Sequence, residues 1–169
     1  MLIKTIGYIW LSGPRYYWSR FKRFFFERKY KKEVELPKVE NLRDIQSILR
    51  TIDYKQDGLS SLFDCVSYPE TTYALKADDC DGYATLAIHL LKQLGITGYY
   101  YTYIPKEWKK SHTVCIFYFN NQLQIFNLAR LYSSKELDFN KFKKSFVDIK
   151  DILLEDVRDI NFKKAVIKQ

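Results

Sequence analysis

Residues 78–127 set the tightest limit on what this chain can fold into. Asp78 or Asp79 is a candidate N-cap, Ala84, Ala87, Leu90, Leu91 and Leu94 recur at helical spacing, and Gly95 is a candidate stop. Together they predict a helix over residues 80–94. Three strand-like runs follow, at 99–104, 112–119 and 122–127. Only Asn120-Asn121 separates the last two, and asparagine tolerates the positive φ of a tight hairpin turn. A helix with one apolar face needs a partner layer, and the strands supply it. The expected class is α+β: a helix carrying Cys80 packed on an antiparallel sheet of three or more strands, with added helices at both ends of the chain.

The 169 residues suffice for one ordinary domain and an appendage, and 47% apolar with 28% charged residues is a globular composition. The appendage is basic. Residues 1–32 hold nine Lys and Arg against the single acid Glu27, a surplus equal to the net charge of +8. On a helical wheel Tyr17, Trp18, Phe21, Phe24 and Phe25 share a face, with Arg20, Lys22, Arg23 and Lys29 elsewhere. The simplest reading packs these aromatics onto the main domain; docking to a protein partner or an acidic membrane surface is the alternative. Nucleic acid is not indicated, because the rings form a packing stripe and not a stacking platform. Residues 33–38 read as a linker, which divides the chain into an arm at 1–36 and a domain at 37–169. Leu42, Ile45, Ile48, Leu49 and Ile52 predict a helix over 39–52. Residues 53–77, with Asp57-Gly58 and Pro69, look loop-rich with short helical pieces. Beyond Ser133 helical spacing returns around Phe139, Phe142 and Phe146, and after them the pattern fits neither period clearly.

Cys65, Cys80 and Cys115 are an odd set without a CxxC spacing, which excludes a disulfide framework or a cysteine zinc site. Free thiols point to a reducing compartment, so a cytoplasmic location is expected. Lys4 interrupts the apolar first residues and no small-residue cleavage site follows, so no signal peptide is expected. No apolar run approaches the ~20 residues of a membrane-spanning helix.

The chemistry centres on Cys80. A helix N-terminus lowers a thiol's pKa, because its unpaired N–H groups stabilise the thiolate. A cysteine nucleophile also needs a base, and the base needs a third group to fix its tautomer. His112 opens the first hairpin strand and Asn127 ends the second, so the two can lie side by side. The other histidine, His89, falls in mid-helix and reads as structural. The backbone N–H of Cys80 is one natural oxyanion donor, and the second is expected from residues 53–70, with Gln56 and Tyr68 as candidates. Asp79 and Asp81 read as helix-terminal caps.

The run Tyr68-Pro69-Glu70-Thr71 followed by Lys76-Ala77-Asp78-Asp79-Cys80-Asp81-Gly82-Tyr83-Ala84 resembles the P-E-T … G-D-C-D-D-Y-A pattern of bacterial transglutaminase-like cysteine peptidases. Leu91-Lys92-Gln93-Leu94-Gly95-Ile96, Ser111-His112-Thr113-Val114 and Phe126-Asn127-Leu128 extend the resemblance over about residues 53–132. It implies a papain-like core with Cys80 as nucleophile, His112 as base and Asn127 as orienter. The implied activity is amide hydrolysis on a protein or peptide through a thioester, or acyl transfer to an amine, with no cofactor. It also implies a weak calcium option at Asp79 and Asp81, as in some secreted relatives. Two positions depart from the pattern: the third member is Asn where Asp is usual, and Ala77-Asp78 stands where Gly precedes the Asp-Cys pair. Papain-like enzymes use Asn in the orienting role. The rival expectation is a module without chemistry, serving as a fitting in a larger assembly such as a phage particle.

Overall fold

The computed structural model describes residues 14–55, 65–105, 111–135, 138–143 and 152–167. Five antiparallel strands form the larger of two sheets: β3 (Gly98–Pro105), β4 (His112–Phe119), β5 (Gln122–Asn127), β6 (Arg130–Ser134) and β7 (Ile152–Arg158), in the spatial order β6-β5-β4-β3-β7. Ahead of them come α1 (Pro14–Lys22), a π-helical turn (Arg23–Glu27), α2 (Arg28–Glu33), α3 (Leu42–Leu49), β1 (Asp53–Tyr54), α4 (Pro69–Leu75), β2 (Ala77–Asp78) and α5 (Cys80–Gln93). A short α6 (Phe139–Lys143) lies between β6 and β7. The protein is α+β.

Helix α5 forms where its caps dictate. The Asp79 side chain accepts from the Asp81 N–H at 3.1 Å. At the other end Gly95 has φ +72°, and the N–H groups of Ile96 and Gly95 return to the carbonyls of Leu91 and Lys92 at 3.0 and 3.1 Å. That is a Schellman stop, and glycine is the residue that tolerates its positive φ without strain. The helix buries Leu86, Leu90 and Leu91 completely against Tyr100, Cys115, Phe117 and Phe126. Each such side chain contributes about 2 kcal/mol by leaving water.

The hairpin follows the same logic. Asn120 and Asn121 have φ of 51° and 55°, as a two-residue turn matched to strand twist requires. Alternation then divides the strand. Cys115 and Phe117 face α5, while Val114 and Ile116 join Tyr99, Tyr101, Leu123, Ile125 and Phe142 on the opposite face. Both faces of the central strands are therefore dry, and α6 contributes Phe142 to the second layer.

Four expectations need adjusting. The helix predicted over 39–52 is shorter, because Asn41 and Asp44 form a capping box that starts it at Leu42. The predicted linker is extended but tied down: Gln93 donates to the Pro37 carbonyl at 3.1 Å and accepts from the Val39 N–H at 3.2 Å. The C-terminal part is not purely helical, since β7 pairs with β3 as an edge strand. Phe146 lies outside the described residues.

The largest correction concerns the arm. Its aromatic stripe does not pack onto the domain: Tyr17, Trp18, Phe21, Phe24 and Phe25 are all exposed. The polar side faces inward. Arg15 pairs with Asp81, both buried. Ser19 accepts from the Val66 N–H at 3.0 Å, Arg23 donates to the carbonyls of Val66 and Ser67 at 2.9 and 2.5 Å, and Glu27 accepts from the Tyr68 N–H at 2.8 Å. Residues 15, 19, 23 and 27 repeat every four positions, whereas an α-helix has 3.6 residues per turn and drifts by about 40° per step of four. The wider winding of the π-helical turn offsets part of that drift and keeps Glu27 on the docking side. Tyr16 is the arm's inward ring, set between Phe162 and the Arg158 guanidinium.

Candidate active site

Cys80 is the first residue of α5, with Asp79 as N-cap, and is half-buried. Cys65 and Cys115 are buried, and burial pushes the Cys115 thiol well above its usual range. Of the three sulfurs, Cys80 is the one with partial access to solvent and a helix N-terminus beneath it.

His112 and Asn127 come together as their strand positions suggest. The register pairs Cys115 with Phe126; continuing it sets Asn127 opposite Val114 and diagonal to His112 on the same face. His112 Nε2 donates to Asn127 Oδ1 at 2.7 Å. That bond assigns the proton to Nε2 and leaves Nδ1 as the basic nitrogen. Burial lowers the His112 pKa, and the Asn127 hydrogen bond offsets part of the shift. The imidazole is thereby neutral near pH 7, the form a base needs.

Tyr103 lies against this pair. It is the cross-strand partner of His112, with the two rings edge to face at 5.9 Å between centroids. Its hydroxyl is held above the ordinary tyrosine range, by burial first and by the neighbouring Cys80 second. Thr85 of α5 bonds the Tyr100 hydroxyl at 3.2 Å, whereas strand alternation places Tyr103, His112 and Asn127 on the face opposite the one that carries Tyr100, Cys115 and Phe117. Sequence reasoning missed Tyr103, because β3 contains four tyrosines in six residues and nothing local separates this one from its packing neighbours.

The remaining candidates are placed as follows. Tyr68 is the N-terminal flank of α4, with its amide bonded to Glu27 and its ring beneath the cations of Arg23 and Lys31 at 5.1 and 5.0 Å. It therefore serves the arm. Gln56 lies outside the described residues. His89 hydrogen-bonds the Thr85 carbonyl from mid-helix, and burial lowers its pKa to about 4. Asp78, Asp79 and Asp81 bring carboxylate oxygens within 4.8 Å of one another. Each has a protein partner: Thr72 and the Asp79 N–H for Asp78, the Asp81 N–H for Asp79, and Arg15 for Asp81. Capping and an ion pair account for their positions.

The Asp78 carboxyl also explains Gly82. It lies over the first turn of α5, where a Cβ on Gly82 would overlap it. The shortness of this turn's side chains is therefore enforced at Gly82, two residues after the sulfur.

Set against known proteins, the chain matches no family model and no curated protein. Among the described residues, no helix is long and apolar enough to cross a membrane.

Proposed function

We propose that this protein is a cysteine-dependent amide hydrolase acting through a thioester. The observation that carries the reading is the 2.7 Å bond from His112 Nε2 to Asn127 Oδ1, in a chain that also sets the half-buried Cys80 at a helix N-terminus. The resemblance of residues 68–84 to transglutaminase-like cysteine peptidases points the same way. Asn127 fixes the imidazole, and Nδ1 takes the Cys80 proton as sulfur attacks the substrate carbonyl. The Cys80 N–H donates to the developing oxyanion. The imidazolium then protonates the leaving amine, and the thioester remains. Water, losing a proton to His112, attacks the thioester and expels the thiolate, which regains that proton. An amine in place of water gives acyl transfer from the same intermediate.

Iodoacetamide labelling read by mass spectrometry tests the nucleophile. Cys80 is expected to label well before Cys65 and Cys115, and Cys80→Ala to abolish release of amine from peptide amides. Incorporation of a dansylated alkylamine separates acyl transfer from hydrolysis. Equal labelling of the three thiols would overturn the reading.

A further inference from the structure

The arm presents a surface that the catalytic reading leaves unused. Tyr17, Trp18, Phe21, Phe24, Phe25 and Phe26 are between 47% and 73% exposed, so six aromatic side chains stand in water on one short stretch. Trp18, Phe21, Phe25 and Phe24 form a continuous ridge. Ring centroids lie 5.7 Å apart for Trp18–Phe21, 4.5 Å for Phe21–Phe25 and 5.0 Å for Phe24–Phe25. Exposed apolar surface of this kind marks an interaction site.

Charge says what the ridge fits. Arg20, Arg28, Lys29, Lys31 and Lys32 are exposed on the same stretch. The one acid among residues 14–32, Glu27, is buried against Tyr68 and Thr71. Over residues 14–32 the outer surface is thus aromatic and cationic, and the exposed carboxylates of Glu33 and Glu35 follow only at its end. The helix does not bury its aromatics in the domain because Arg15, Ser19, Arg23 and Glu27 hold it there by the opposite side, fixing the ridge outward. An exposed row of rings flanked by cations suits a planar anionic surface better than a groove. Rings enter the headgroup boundary while Arg and Lys meet lipid phosphates and carboxylates.

We infer that residues 17–32 dock the protein on an anionic lipid bilayer, lying in the interface and not crossing it. This holds whether or not Cys80 turns over.

Sedimentation of the full chain with vesicles tests it. Mixed phosphatidylcholine–phosphatidylserine vesicles at about 0.1 M salt are expected to carry the protein down. Pure phosphatidylcholine vesicles, or about 1 M salt, should weaken binding by about tenfold or more. The double variant Phe21→Ser, Phe25→Ser should lose binding by a similar factor. Both side chains are exposed, so its far-UV circular dichroism and Cys80 alkylation rate should match the parent's. The inference is overturned by any of four results: no binding to the mixed vesicles, undiminished binding by the double variant, a dimer through this face that ignores lipid, or binding that appears only after residues 1–13 are removed. The last would make that segment the occupant of the ridge.

Discussion

Arg15 in the arm forms a buried ion pair with Asp81, the residue that follows the candidate nucleophile. Both side chains are almost wholly withdrawn from solvent, at 2% and 1% exposure for the two residues. The pair joins the first described helix to the first turn of α5, so the arm helps set the helix end on which Cys80 depends.

Arg15→Ala leaves Asp81 charged and buried without its guanidinium, and is expected to cost about 3–5 kcal/mol. Replacing both partners, with Arg15→Met and Asp81→Leu, should recover much of that loss. Urea unfolding of the two variants checks the expectation, and similar costs for both would refute it.

Asn127→Ala should leave the fold intact and lower turnover by up to about 10²-fold, because the imidazole loses its tautomer-fixing acceptor. Asn127→Asp tests the same bond from the other side. A carboxylate there favours the imidazolium, raises the His112 pKa and moves the acid limb of the rate profile to higher pH. Steady-state kinetics across pH reads both effects.

Tyr103→Phe keeps the ring against His112 and removes the hydroxyl whose pKa burial and Cys80 raise. Reactivity of the thiol toward iodoacetamide should change while unfolding midpoints stay within about 1 kcal/mol of the parent. A variant identical in both measurements would assign Tyr103 to packing alone.

Stability should fall on the acid side. His89 and His112 both have pKa values lowered by burial, so the unfolded chain takes up their protons first as pH drops. Their contribution is complete above the ordinary imidazole value of 6.5 and is lost progressively toward the folded value, about 4 for His89. From about pH 7 to about pH 5 the His89 share of this loss is about 2 kcal/mol. Urea titrations of the parent and His89→Gln measure it, and the variant should show the shallower dependence.

Gly82→Ala is expected to cost about 1–3 kcal/mol, more than an ordinary helix position, because the added methyl displaces Asp78 from Thr72. Thermal unfolding gives the comparison with a control substitution at the exposed Lys92 of the same helix.

Local chemistry made the centre of the fold readable. Asp79, Gly95 and Asn120-Asn121 each act on their own backbone, so helix α5 and the β4–β5 hairpin stand where those residues imply. Long-range partners were less visible. Strand β7 breaks alternation with Glu155 and Asp156, which make sense only beside Tyr101, Lys143, Tyr16 and Arg158. The arm misled for a similar reason: its aromatic face was the louder pattern, and the four-residue repeat of Arg15, Ser19, Arg23 and Glu27 acquires meaning only from the acceptors and donors opposite it. Of the candidate site, the His112–Asn127 bond followed from strand order, whereas Tyr103 required knowing which tyrosine the register sets against the imidazole.

The π-helical turn makes the run Phe24-Phe25-Phe26 matter by its length as well as its chemistry. A π-turn takes up about one residue more than an α-turn. Deleting one phenylalanine would let the segment rewind to ordinary α pitch with Glu27 three positions after Arg23 and still near the docking side, whereas inserting one would swing α2 and its cations by about 100°. The run of three phenylalanines thus holds the extra residue that the π-turn absorbs between two halves of one helix.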